Sequence, residues 1–144
     1  MRFSEGRGHP VVGTETADTV GKVQRFVVDA SQARVVALVL KKTPDKADVL
    51  RWADVITFGP DAVTVPSAGL LVEPDGELAR LTNKRRSLLG QRVLTDAGDD
   101  IGEVDDVDFD PADGSIRHLL TSGGEVDAAR LLGLGSYALM VRHS

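Results

Sequence analysis

Four aspartates fall within eight residues of the second half of the chain: Asp106, Asp108, Asp110 and Asp113. Carboxylate oxygen is the donor that hard cations such as Ca²⁺ and Mg²⁺ prefer, so this run invites a metal reading. The spacing opposes it, because Pro111 stands where an EF-hand loop needs its sharp-turn glycine. On a strand, Asp106, Asp108 and Asp110 share one face while Val107 and Phe109 share the other. The run therefore reads as a solvated face whose charges also discourage pairing at a sheet edge, and no metal ligand is assigned.

The remaining candidates for chemistry are weaker. His9, His118 and His143 have no cysteine or second histidine at ligand spacing. Gly133-Leu134-Gly135 is half of a dinucleotide fingerprint, with Ala138 in place of the third glycine and no βαβ pattern around it. No Gly-x-Ser-x-Gly elbow occurs. Neither a nucleophile–base pair nor a cofactor cradle can be assembled, so the expectation is a protein that is not an enzyme and binds no cofactor. Two short motifs are candidates for partner binding. Lys84, Arg85 and Arg86, followed by Arg92, form a dense basic patch. It could meet RNA phosphate or an acidic partner, or could simply complement the C-terminal end of a helix. Arg51 precedes Trp52, the single tryptophan. That ring either packs under the Lys41–Ala47 segment or anchors a partner, a role in which tryptophan is enriched.

The elements that would position these residues follow from an internal repeat. With a shift of 81, Val12–Val39 lies on Val93–Leu120 with seven of 28 positions identical: Val12, Thr14, Asp18, Gly21, Val23, Asp29 and Leu38. With a shift of 76, Ala53-Asp54-Val55-Ile56 lies on Ala129-Arg130-Leu131-Leu132, and Gly59 on Gly135. The change of shift gives the first copy five extra residues, placed in the surface turn around Lys42-Thr43-Pro44-Asp45-Lys46. The expected division is residues 1–67 for copy one, 68–86 for a connector and 87–144 for copy two. Within the connector, the acid-first, base-last stretch Glu77–Arg86 predicts one short helix with Leu78 and Leu81 on its buried face.

Each copy is punctuated like a β structure. In copy two, strands are expected at Arg92–Thr95, Ile101–Asp110 and Ser115–Thr121. A strand or helical turn is expected over Glu125–Leu132, then a tight turn at Gly133–Ser136, then a strand at Tyr137–Val141. The step from Val104 to Val107 is three where alternation requires two, and Val23 to Phe26 repeats it, which predicts a β-bulge at the same place in both copies. A unit of about 60 residues buries only about 60% of its unfolded surface, so the copies should pack on each other, on the helix or on a second chain.

Composition bounds the rest. The chain has 144 residues, 42% hydrophobic and 27% charged, with no cysteine. That excludes disulfides, thiolate zinc sites, iron–sulfur clusters and a cysteine nucleophile. The longest apolar runs, such as Val35 to Leu40, fall far short of the ~20 residues that span a bilayer. Met1–Glu5 lacks the apolar core of a secretory signal, so a cytoplasmic location and no membrane insertion are expected. Residues 1–70 carry nine Lys/Arg against eight Asp/Glu, whereas residues 71–144 carry eight against fourteen. Nine of those acids lie between Asp96 and Asp113, a surface that repels phosphate backbones.

The stretch from Thr95 through Asp96-Ala97-Gly98-Asp99-Asp100-Ile101-Gly102-Glu103-Val104 to Phe109-Asp110-Pro111-Ala112-Asp113-Gly114 resembles the PRC-barrel domain. Copy one resembles a weaker version, with Ala17 and Ala33 where the pattern has turn glycines. The resemblance implies an all-β chain of two tandem small PRC-like β-barrels joined by a short helix. Its known members include the cytoplasmic part of a photosynthetic reaction-centre H subunit and the C-terminal domain of a ribosome maturation factor. By that likeness the expected function is a docking adaptor that binds a partner protein or forms a homodimer. The alternative is a ribosome- or RNA-associated assembly factor using Lys84, Arg85 and Arg86.

Overall fold

The computed structural model describes residues 1–83 and 86–143. The chain opens with a one-turn helix, α1 (Phe3–Gly6). Six strands follow: β1 (Pro10–Gly13), β2 (Thr19–Asp29), β3 (Arg34–Lys41), β4 (Val49–Arg51), β5 (Thr57–Phe58) and β6 (Val63–Val65). The connector holds α2 (Gly76–Thr82). Six more strands complete the chain: β7 (Arg92–Thr95), β8 (Asp100–Phe109), β9 (Ile116–Thr121), β10 (Gly124–Asp127), β11 (Leu131–Leu134) and β12 (Leu139–Val141).

The two halves are built alike. The first sheet has the order β4-β3-β2-β1-β6-β5 and the second the order β10-β9-β8-β7-β12-β11. In each, one pair is parallel, β1 with β6 and β7 with β12. This order places β10 and β11 on opposite edges of a six-stranded sheet, which lie about 24 Å apart when flat. Yet only the 3-10 turn Ala128–Arg130 joins them, and three residues reach at most about 15 Å. The sheet must therefore roll until its edges approach, and the turn Trp52–Asp54 imposes the same curl on the first half. The bulges expected from the three-residue steps are present. Pairing slips between Val23 and Arg25 in one copy and between Val104 and Asp106 in the other. Each leaves one residue unpaired, Gln24 and Asp105, and these are equivalent under the shift of 81.

Turn chemistry is also shared, with different residues. Gly98 and Gly114 have φ of +85° and +80°, and their equivalents Ala17 and Ala33 adopt φ of 60° and 51°. An L-residue with a Cβ is strained there by about 1–2 kcal/mol. Ala17 is exposed, so Ala17→Gly loses little packing. Part of the gain is offset by the extra freedom of glycine in the unfolded chain, about 0.4–1 kcal/mol. A rise of roughly 1–3 °C in melting temperature is expected for Ala17→Gly, and a fall on calorimetry would show the left-handed strain to be absent.

The halves share a core. Val11, Phe26, Leu38 and Phe58 of the first belong to one buried cluster with Val93, Phe109, Leu119 and Leu139 of the second. All four phenylalanines and Trp52 meet at the seam. Phe3 stacks on Phe26 at 4.1 Å between ring centroids. Phe109 touches Phe3, Phe26, Phe58 and Trp52 at 5.4, 5.2, 5.6 and 6.4 Å. The seam is closed by a reciprocal backbone pair. Val35 N–H donates to the Gly114 carbonyl at 2.8 Å, and Ile116 N–H to that of Ala33 at 2.8 Å. Each bond is the image of the other under the shift of 81, so a pseudo-twofold axis passes between Arg34 and Ser115, which face each other as an antiparallel bridge.

A second, smaller cluster explains the connector. Val27, Ala37, Val39 and Val49 are buried on the outer face of the first sheet, where Val72, Leu78 and Leu81 cover them. The helix ends at Thr82, shorter than the expected Glu77–Arg86. Val72 also pairs with Val49 through two hydrogen bonds of 2.9 and 3.1 Å, which caps the β4 edge. Placing a carboxylate against this apolar face removes burial and desolvates a charge. Leu78→Asp is expected to cost about 2 kcal/mol, and an unchanged thermal melt would remove α2 from the fold's support.

Candidate functional site

The acidic strand is held by the start of the chain. In β8, Asp106 accepts from the Ser4 N–H at 3.1 Å and from the Ser4 hydroxyl. Burial pushes the Asp106 carboxyl up. The hydrogen bonds from Ser4 and from Val107 N–H, with Arg2 nearby, outweigh that and hold it below the ordinary carboxylate range. Asp108 lies 3.3 Å from the Met1 amino group. Asp110 lies 3.0 Å from the Arg117 guanidinium and accepts from Ala112 N–H at 2.9 Å. Asp113 accepts from the Ser115 N–H and hydroxyl, which lowers its pKa. Each carboxylate has its own protein partner, and among the described residues no cluster suited to holding a metal ion occurs.

The uneven charge has a structural cause. Under the repeat, Val27, Ala37, Val39 and Val49 correspond to Asp108, His118, Leu120 and Glu125. In the first half this face lies beneath α2 and is apolar. In the second it faces water, and His118 sits 3.7 Å from Asp108 and 3.3 Å from Glu125.

The predicted partner-binding residues are scattered. Arg51 is exposed and lies 3.5 Å from Asp54. Trp52 is half-buried, but not under the Lys41–Ala47 segment. It crosses the seam, stacks at 5.9 Å on Phe58 and lies over Gly114, where an added Cβ would sit 3.0 Å from its ring. Lys84 and Arg85 lie outside the described residues. Arg86 is half-buried, and its guanidinium donates to the Leu134 carbonyl at 2.5 Å. Arg92 lies over the Tyr137 ring at 5.1 Å and donates to its hydroxyl at 2.7 Å.

Three large apolar side chains are exposed among the described residues: Ile56 at 55%, Leu132 at 46% and Tyr137 at 68%. Ile56 and Leu132 occupy the same repeat position, just after the 3-10 turn of each copy. Sequence reasoning aligned these two residues without asking whether they reach water. Ile56 opens onto a groove of about 370 Å³ along the seam, lined by Trp52, Val55, Ile56, Phe58, Pro111 and Ala112. The pseudo-twofold mate of this groove runs between Ala30-Ser31 and Gly133-Leu134. There Arg80, Leu81 and Arg86 form part of the wall and leave about 180 Å³. One groove is thus filled by the connector and its mate is open.

The tight turn expected at Gly133–Ser136 starts later, because Gly133 and Leu134 belong to β11, as Thr57 and Phe58 belong to β5. No helix among the described residues is long and apolar enough to cross a membrane. No curated protein matches the chain. The family model of the PRC-barrel domain matches residues 82–139, from the end of α2 to the start of β12. The second half of the chain thus carries a PRC-barrel domain, and the first half repeats its strand order.

Proposed function

We propose that this protein is a non-enzymatic adaptor that docks a partner protein through apolar residues its two rolled sheets leave open to water. The observation that carries the reading is the exposure of Ile56 and Leu132 at one repeat position, joined by Tyr137 in the second copy. Keeping large apolar groups in water lowers solubility, and an exposed one held at the same position in both copies supports surfaces that are covered in use. Arg92 fixes the Tyr137 ring from above, so little freedom is lost when a partner covers it. Tyrosine and arginine are also residue types that dominate binding energy at interfaces. The acidic second half favours a partner with a basic contact surface. A second copy of this chain is the other occupant the reading allows, and we take the compartment to be cytoplasmic.

The test is capture of partners from cell extract by the intact chain, with and without nuclease, beside an Ile56→Glu/Leu132→Glu/Tyr137→Glu variant. A partner retained after nuclease and reduced roughly ten-fold by the variant is the expected result. Self-association would show instead as a doubled mass in solution that the variant halves. Capture lost to nuclease would favour an RNA-associated assembly factor, and capture unaffected by the variant would remove the surface from consideration.

A further inference from the structure

We infer that the open seam groove is the docking site for a short basic, leucine-bearing helical segment of the partner. This rests on the adaptor reading above and names the chemistry of its ligand. The molecule itself displays what fits such a groove. On the mate side, Leu81 of α2 lines the cleft and the Arg86 guanidinium donates to the carbonyl of Leu134 at 2.5 Å. Arg80 is held first by Glu77 and also feels the charge of Asp29.

Every receiving group has an equivalent at the open groove. Phe58 stands for Leu134, and Pro111 and Ala112 stand for Ala30 and Ser31. Asp110 stands for Asp29, and both aspartates make the same local turn, accepting from the N–H two residues on at 2.9 and 3.0 Å. The open side is also larger, about 370 against 180 Å³, and more apolar, with Trp52 and Ile56 where the mate has Ala128 and Leu132. An arginine entering this groove therefore meets the strand that carries the Phe58 carbonyl, beside an Asp110 that Arg117 already holds at 3.0 Å, and a leucine meets Trp52, Ile56 and Phe58.

The single tryptophan lines this groove and not its mate, so its emission distinguishes the open site from the filled one. The probe is a synthetic peptide with the sequence of residues 75–89 of this chain, titrated into the intact protein. A saturable blue shift of Trp52 emission is expected. Ile56→Asp and Ala112→Arg, both at exposed positions on opposite lips, should each weaken binding roughly ten-fold while the thermal melt stays unchanged. A peptide with the arginines equivalent to Arg80 and Arg86 replaced by glutamine should also bind less tightly. An emission spectrum unmoved at millimolar peptide, or an equal shift with a scrambled peptide or with both lip variants, would overturn the assignment. Failure of the peptide alongside successful partner capture would leave the adaptor reading standing without this groove. Peptide binding with no partner captured would remove the adaptor reading and keep the groove's chemistry.

Discussion

Replacing Phe109 with alanine is expected to lower the melting temperature by on the order of 10 °C, the largest effect of any single substitution considered. Phe109 is fully buried and is the one ring in contact with all the other aromatic members of the seam cluster, from α1, β2, β5 and the Trp52 turn. Truncating a buried phenylalanine costs about 3–5 kcal/mol through lost transfer energy and the cavity left behind. Four rings of the first copy line the resulting space, so its collapse would require the first half to move onto the second. The cost matters because whole domains are stable by only about 5–15 kcal/mol. Thermal unfolding should remain a single transition that moves down in temperature. If it split into two transitions, the halves would be folding as separate units, and the shared core would not be what couples them.

The second large effect is expected from the smallest change. Gly114→Ala should destabilise the fold by about 2–4 kcal/mol. Its φ of +80° disfavours any side chain, and an added Cβ would sit 3.0 Å from both the Trp52 ring and the Val35 carbonyl oxygen. That carbonyl belongs to the residue whose N–H makes one of the two seam hydrogen bonds. The equivalent position, Ala33, carries a methyl group at φ 51°, but the residue aligned with Trp52 there is Ala128. Glycine thus faces the large ring on one side of the seam, while small residues occupy both positions on the other. A Trp52→Ala/Gly114→Ala double variant should therefore lose less than the sum of its single variants, with a coupling of about 0.5–3 kcal/mol. Strict additivity in chemical denaturation would mean that the backbone conformation alone is responsible.

The parts of this architecture readable in the sequence are those set by local backbone rules. Each copy announces its bulge by a three-residue step between apolar positions, Val23 to Phe26 and Val104 to Val107, and the pairing slips there in both. The turn positions were visible through Gly98 and Gly114, and through their alanine equivalents. What could not be read is how the copies meet. Phe3 looks like an isolated aromatic in a polar opening segment, and only the fold brings it 4.1 Å from Phe26. Trp52 is absent from the repeat pattern because its purpose is to cross the seam onto Gly114. One further signal lies in the third strand. Val35 to Leu40 is apolar at every position, where a strand with one wet face would alternate. That run marks a strand covered on both faces, and the cover is α2. The open groove left no signal of its own, because it is built at the same aligned positions as the filled one, and it is the fold that lays the connector over one of them.

The reciprocal bridge between Arg34 and Ser115 has a consequence for what this architecture can become. Two identical chains meeting across such an axis would carry every feature in duplicate, and a substitution good for one face would be imposed on the other. Covalent fusion lifts that constraint. A tether of about twenty residues holds the halves at an effective concentration in the millimolar range or above, so their contact need not sustain association between free chains. Each half is then free to specialise. One has taken an apolar back and a permanent helical cover, and the other an acidic back in water. The pair together is arranged as a homodimer whose symmetry has been broken by inheritance of different side chains, with one cleft filled by the chain itself and the other left open.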